Sequence, residues 1–161
     1  MSSILELLGE REVRRFDAGQ LVIREGENTD RLYFLIEGSV EVLKGDVPVA
    51  VASQPGVVFG EMSVLLGEPH TATVRAVKPC SFYIVENPRE FLKSSPAMCL
   101  HVCELLARRL DSLNKYLVDV KQQFQGHDHI GMVDEVLEAL LHRQPRERVR
   151  PSESTIQRGE M

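Results

Sequence analysis

The sequence predicts a mainly β protein with helices, an antiparallel barrel or roll followed by one long helix. Three observations carry that prediction. Eight of the eleven glycines lie at or before Gly67, six of the eight prolines lie from Pro48 to Pro96, and Ala97 to Gln125 contains neither. These residues punctuate turns, so the first part reads as short strands and tight turns and the second as helix. Several short runs of strand formers recur at 8–12-residue spacing, the rhythm of an all-β barrel or roll. From Cys99 onward the apolar residues fall into a four-three repeat.

The elements follow in order. Ser3 and Glu6 fit a capping box ahead of Leu7 and Leu8, a small opening helix. Leu21-Val22-Ile23-Arg24 reads as a strand that ends at the turn Glu25-Gly26-Glu27-Asn28. Arg31 to Ile36 is rich in strand formers and closes at Glu37-Gly38. Ser39-Val40-Glu41-Val42-Leu43 alternates polar and apolar, as a half-buried strand does. Lys44-Gly45-Asp46 is a hairpin turn, with Val47 to Ala52 the returning strand. Ala72 to Val77 and Ser81 to Val85 are two more.

In the helix, Cys99, Cys103, Leu106, Leu110, Leu113, Leu117, Val120 and Phe124 follow one another at four and three residues. That is an a/d heptad seam, which predicts pairing with a second copy of the helix over Ala97–Phe124. The other reading is one helix laid across the barrel with that face buried. On either reading Cys99 and Cys103 are expected in buried apolar packing. Asp119 and Lys121 flank the seam. The chain breaks at Gln125-Gly126. Ile130, Val133, Val136, Leu137, Leu140 and Leu141 then share one face of a shorter helix. Arg143 to Met161, with five arginines and two prolines, reads as a frayed basic tail. The expected organisation is residues 1–125 as roll plus long helix and 126–161 as short helix and tail.

Composition narrows the function. The 161 residues carry a net charge of -5 and are 43% apolar and 27% charged, close to globular averages. The apolar runs fall short of the roughly 18 residues of a membrane span. The N-terminus has no basic start and no long apolar stretch, so no export signal is read there. Three cysteines in such a chain predict a reducing, cytoplasmic setting with free thiols. Net acidity weighs against a protein that coats nucleic acid.

Phe59-Gly60-Glu61-Met62-Ser63-Val64-Leu65-Leu66-Gly67-Glu68-Pro69-His70-Thr71-Ala72-Thr73-Val74 lies between two strands. A glycine before an acidic residue and a short apolar stretch points to a turn opening a brief helix. First-turn amides at such a place can hold an anion. The other reading is an ordinary short helix covering one end of a barrel.

This segment resembles the phosphate-binding cassette of the cyclic nucleotide-binding domain family. Leu32 to Val42, with Gly38 at its centre, resembles the family's strand-Gly-strand pattern, and Glu25-Gly26 its preceding turn. Ala107-Arg108-Arg109-Leu110 resembles the start of the long helix in the cyclic-AMP receptor protein branch. The resemblance covers about residues 4–124, roughly three-quarters of the chain. It implies an eight-stranded antiparallel β-roll, jelly-roll-like, with flanking helices and a long dimer-type helix, and a ligand inside the roll against the cassette. It implies that Gly60, Met62 and Ser63 turn backbone amides to a cyclic phosphate. It implies that Glu61 bonds the ribose 2′-hydroxyl and that Thr71 touches phosphate or purine. Asn114 aligns with a position that closes over the base, and Leu113 with packing.

The chain departs from the family at His70, which stands where the family has its phosphate-binding arginine. Arginine offers a permanent charge and a planar fork, whereas imidazole offers one donor and is mostly neutral near pH 7. Losing a charge-assisted pair removes about 1.5–3 kcal/mol, roughly 10- to 150-fold in affinity. Weak binding is therefore expected, strengthening as pH falls. His70→Arg is expected to strengthen it by about ten-fold. The other reading makes His70 a surface or pocket-rim residue of a roll without a ligand. Arg75, Lys78 and Arg24 are nearby cations able to substitute.

His127-Asp128-His129 lacks further ligands at metal-site spacing and reads as a polar loop. No nucleophile-and-base set, Walker loop or dinucleotide fingerprint is present, so no catalytic residue, metal or enzyme activity is expected. Regulators of this branch carry a helix-turn-helix domain after the long helix. The residues after Gly126 provide one helix and a tail, so no direct nucleic-acid reading and no membrane partner are expected. The expected function is a small cytoplasmic sensor of cyclic AMP or cyclic GMP. It is a homodimer that signals through its C-terminal helices to an unknown protein effector. The alternatives are a ligand-free dimeric scaffold and part of a longer DNA-binding regulator.

Overall fold

The computed structural model describes residues 4–123 together with Glu135, Val136, Glu138 and Leu140. A 3-10 turn over Glu6–Leu8 opens the described chain, followed as far as residue 123 by eight strands and three helices. One sheet carries β1 (Val13–Phe16), β8 (Cys80–Glu86), β3 (Arg31–Glu37) and β6 (Val58–Phe59), side by side in that order. The other carries β2 (Leu21–Ile23), β7 (Thr73–Ala76), β4 (Val40–Lys44) and β5 (Val47–Ala52). Every pairing is antiparallel. The helices are α1 (Glu61–Leu66), α2 (Pro88–Ser94) and α3 (Pro96–Gln123). This is the antiparallel roll with flanking helices that the sequence predicts.

The burial pattern of β3 explains why its apolar run does not alternate. Side chains of a strand point to opposite faces in turn. Tyr33 and Leu35 join Ile23, Val40, Val74, Phe82 and Ile84 in the cluster between the sheets. Leu32 and Phe34 point the other way, into a cluster with Leu8, Val64, Phe91, Met98 and Val102 of the turn and helices. A strand covered on both faces is apolar throughout. β5 is the opposite case. It is an edge strand whose Val47, Val49 and Val51 are exposed. Its Pro48 is tolerated there because an edge strand can leave one N–H side unpaired.

Several expectations are corrected. Ser3 lies outside the described residues, and the opening turn has Leu5 at its N-cap with no side-chain cap bond. β1, β6 and α2 were not among the strands and helices read from the residues. β1 shows only Val13 and Phe16 as apolar, three apart, and β6 has two residues. α2 begins at Pro88, the first-turn position where a missing N–H does no harm. Cys99 and Cys103 are exposed on the single chain, so the roll does not bury them. The stripe of α3 turned to the roll is Met98 and Val102, with Leu105 and Leu106 partly buried beside them. Met98 and Val102 precede the cysteines by one residue each, about 100° around the helix. Cys80 is buried between the sheets.

The chain divides into two compact units, Met1–Ala107 and Arg108–Met161. The boundary expected near Gln125, His127-Asp128-His129 and the arginine-rich tail lie outside the described residues. Of the face from Ile130 to Leu141, Val136 and Leu140 are described, both helical.

Candidate functional site

Among the described residues the buried polar side chains are Glu61, Ser63, His70 and Ser81. Three of the four fall between Gly60 and Thr71. Glutamate and histidine are rarely buried without a partner, so this concentration marks a built site.

β6 delivers the chain to Gly60, whose φ of +87 lies in the left-handed region. A Cβ there would stand 2.5 Å from the backbone oxygen of Arg31. It would also stand 3.5 Å from His70 Cε1 and from Tyr33 Cδ2. Only glycine fits, for conformation and for space together. α1 starts at once, and its first helical bond runs from the Val64 amide to Gly60 O at 3.1 Å. The amides of Met62 and Ser63 therefore lie in the first turn, where N–H groups have no partner within the helix.

The helix positions its side chains differently. Glu61 is 4% exposed and Met62 is 42% exposed. Ser63 Oγ donates to Glu68 O, and the amides of Gly67 and Glu68 return to Ser63 O at 2.9 and 3.2 Å. The Ser63 hydroxyl thus closes the end of α1, leaving its amide for any ligand. Arg89 of α2 donates from Nη2 to Val64 O and Leu65 O at 3.0 and 3.2 Å. A cation on the last carbonyls of a helix is favourable by charge and by hydrogen bonding.

His70 is 5% exposed, which overturns the reading of it as a surface or rim residue. Its amide donates to Glu27 O and its own oxygen accepts from the Gly26 amide, both at 2.9 Å. Its ring Nε2 lies 2.7 Å from Thr29 Oγ1. Tyr33 Oη donates to the same hydroxyl at 3.4 Å. Burial pushes the His70 pKa below the ordinary imidazole value, against the pull of Glu27, which raises it. A neutral ring with Nε2 accepting from Thr29 fits both observations.

Thr71 and Thr73 continue this stitching. Thr71 O accepts from Lys44 Nζ at 2.7 Å, and Thr73 Oγ1 accepts from the Glu25 amide at 3.0 Å. Glu25 Oε2 accepts from the Gly45 amide at 2.9 Å. Two separate turns, one carrying Glu25 to Thr29 and one carrying Lys44 and Gly45, are thereby tied to the end of the cassette. The substitute cations do not join it. Arg75 alternates with inward Val74 and Ala76 and bonds Glu41. Arg24 pairs loosely with Glu27 at 3.8 Å, and Lys78 is exposed.

The structure thus brings Gly60, Glu61, Ser63 and His70 together, with Met62 and Thr71 beside them. Asn114 belongs to the second compact unit, where its Oδ1 is buried with no hydrogen-bond partner among the described residues. The sequence reading missed Thr29, Glu27 and Lys44. Thr29 touches His70 across 41 residues, and no local pattern marks it. No group of three or more His, Cys, Asp or Glu able to hold a metal occurs among the described residues. No helix among them is long and apolar enough to cross a membrane.

The family model of the cyclic nucleotide-binding domain matches residues 13–93, about half of the chain. The chain belongs to the cyclic nucleotide-binding domain family. It is 40% identical over 78 residues to a cyclic nucleotide-gated potassium channel of Mesorhizobium japonicum, covering 48% of this chain and 21% of the channel. It is 34% identical over 85 residues to a cAMP-dependent protein kinase regulatory subunit of Yarrowia lipolytica, covering 53% of this chain and 22% of that subunit. The match thus spans about a fifth of each relative. The fold is that of the Thermus thermophilus catabolite activator protein, with a TM-score of 0.59 at 21% identity over 86% of this chain and 81% of that one.

Proposed function

We propose that the roll binds a cyclic nucleotide, cyclic AMP or cyclic GMP, and passes its occupancy to a protein effector through the C-terminal helices. The observation that carries this reading is the buried Glu61 carboxylate directly behind a glycine that admits no side chain. On this reading the amides of Gly60, Met62 and Ser63 face the cyclic phosphate. Glu61 accepts from the ribose hydroxyl, and His70 and Thr71 complete the phosphate side. The family resemblance makes Asn114 the candidate for the base. Two relatives whose names include cyclic nucleotide gating and cAMP dependence support the ligand class. The setting is cytoplasmic, and the role is regulatory rather than catalytic.

The same reading makes the chain a homodimer through Ala97–Phe124. Cys99, Cys103 and Leu113 of the seam are exposed on the single chain, as a seam requires before it is paired. Ligand can shift the helices only if it binds their two arrangements with different affinity.

Calorimetry with cyclic AMP and cyclic GMP near pH 6 and pH 8 tests the ligand. Binding that strengthens at the lower pH, and that Glu61→Gln weakens about ten-fold or more, is expected. No heat at millimolar ligand in either condition overturns it and leaves the ligand-free scaffold.

A further inference from the structure

We propose that Cys99 and Cys103 form an oxidisable thiol lock between two copies of this chain. The inference rests on the homodimer reading above. Both cysteines are exposed on the single chain, one helical turn apart on α3. The stripe one residue earlier, Met98 and Val102, is the one that faces the roll. The cysteines therefore stay on the side of α3 that the roll leaves uncovered.

The occupant of that side is a second α3. Cys99 and Cys103 take the first two positions of a four-three repeat that continues at Leu106, which is partly packed against the roll, and then at Leu110, Leu113 and Leu117. A heptad repeat of this length is complementary to another copy of itself. In a parallel, in-register pair each layer meets its own equivalent. Cys99 then faces the partner's Cys99, and Cys103 faces the partner's Cys103. The small thiols stack together at one end and the leucines fill the middle.

Geometry decides which disulfide forms. Two helical residues four apart hold their Cβ atoms about 5–6 Å from each other. A disulfide needs roughly 3.5–4.5 Å. The two thiols of one helix are thus too far apart to bridge without unwinding it, and oxidation is directed across the interface. Cys80 does not compete. It is buried between the sheets, and burial raises its thiol pKa, which lowers its thiolate fraction.

The oxidant is a hydroperoxide. One thiolate attacks the peroxide oxygen, breaking the O–O bond and releasing an alcohol, or water when the oxidant is hydrogen peroxide. The sulfenic acid so formed is attacked by the facing thiolate, and hydroxide leaves as water after protonation. Two thiols and one peroxide give one disulfide, one alcohol and one water. A dithiol reductant reverses the lock by exchange.

The test uses the full chain with hydrogen peroxide, read on a non-reducing gel beside sedimentation of the untreated protein. Wild type should sediment as a dimer. On oxidation it should give a covalent band at twice the 18.2 kDa chain mass, removed by dithiothreitol. Cys80→Ser should give the same band, and Cys99→Ser/Cys103→Ser should give none while still sedimenting as a dimer. A wild-type dimer that never cross-links, or a double variant that still does, overturns the lock and leaves the dimer standing. A wild-type monomer overturns both. Cyclic nucleotide calorimetry is read separately and is indifferent to either result.

Discussion

The cassette and α3 break the ordinary division of inside and outside in opposite directions. Between Gly60 and Thr71 the protein buries a glutamate, a serine and a histidine. Along α3 it exposes Leu100, Leu113, Tyr116 and Val118. A buried polar group is stable only with hydrogen-bond partners, such as Glu68 for Ser63 and Thr29 for His70. A run of exposed apolar groups fits an apolar partner. The two regions therefore respond to different perturbations. The cassette should answer to single polar or steric changes at any protein concentration. The helix should answer to dilution.

The largest effect is expected at Gly60. Gly60→Ala places a Cβ 2.5 Å from Arg31 O at a φ of +87. Backbone strain and overpacking together should cost about 2–4 kcal/mol. The urea midpoint should fall with an unchanged slope, and nucleotide affinity should be lost with it. A midpoint within error of wild type would show that β3 and the cassette can separate, which would remove the rigid wall behind Glu61.

Leu113→Lys tests the other region. Leu113 is 47% exposed on the single chain, so the roll should keep its urea midpoint. The dimer should weaken by ten-fold or more, because a charge then enters an apolar layer. Sedimentation across a concentration series reads this directly. Unchanged dimer affinity would place the interface away from the seam.

How much of this was readable in the sequence differs between the two regions for a physical reason. Gly60, Glu61, Ser63 and His70 lie within one short stretch, so their proximity is written locally. Thr29 was not readable, because the turn that carries it is brought to His70 by tertiary packing alone. In α3 the repeat gave the period of the helix but not its phase. Cys99 and Cys103 carry the heptad spacing, yet Met98 and Val102, one residue earlier, are the side chains that the roll buries. The strands followed the same logic. β3 and β4 declare themselves by composition and alternation, whereas β1 and β6 exist only through their pairing with β8 and β3.

His70 links stability and binding with opposite signs. Its pKa is lowered in the folded chain, so the unfolded chain binds the proton more readily. The stabilisation is complete above the unfolded imidazole value of about 6.5 and is lost as pH falls from there toward the folded value. Urea midpoints should therefore fall between pH 7.5 and pH 5, and His70→Gln should flatten that part of the curve. A cyclic phosphate favours imidazolium, so nucleotide affinity should rise over the same interval. An affinity that does not change with pH would mean that the ring keeps its Thr29 bond and never meets the phosphate.

The smallest effect is expected at Arg75, and its smallness is informative. The guanidinium bonds Glu41 on the outer face of the sheet, while its neighbours Val74 and Ala76 point inward. A partly exposed ion pair contributes about 0–1 kcal/mol. Arg75→Met should therefore move the urea midpoint little and leave nucleotide affinity unchanged. Were affinity to fall ten-fold, Arg75 would have to leave Glu41 and swing through the sheet to the phosphate. The pleat forbids that without turning β7 over, a change that would expose Val74 and Ala76 and unfold the inter-sheet core. An unchanged affinity leaves His70 as the side chain at the cassette whose charge can respond to the ligand.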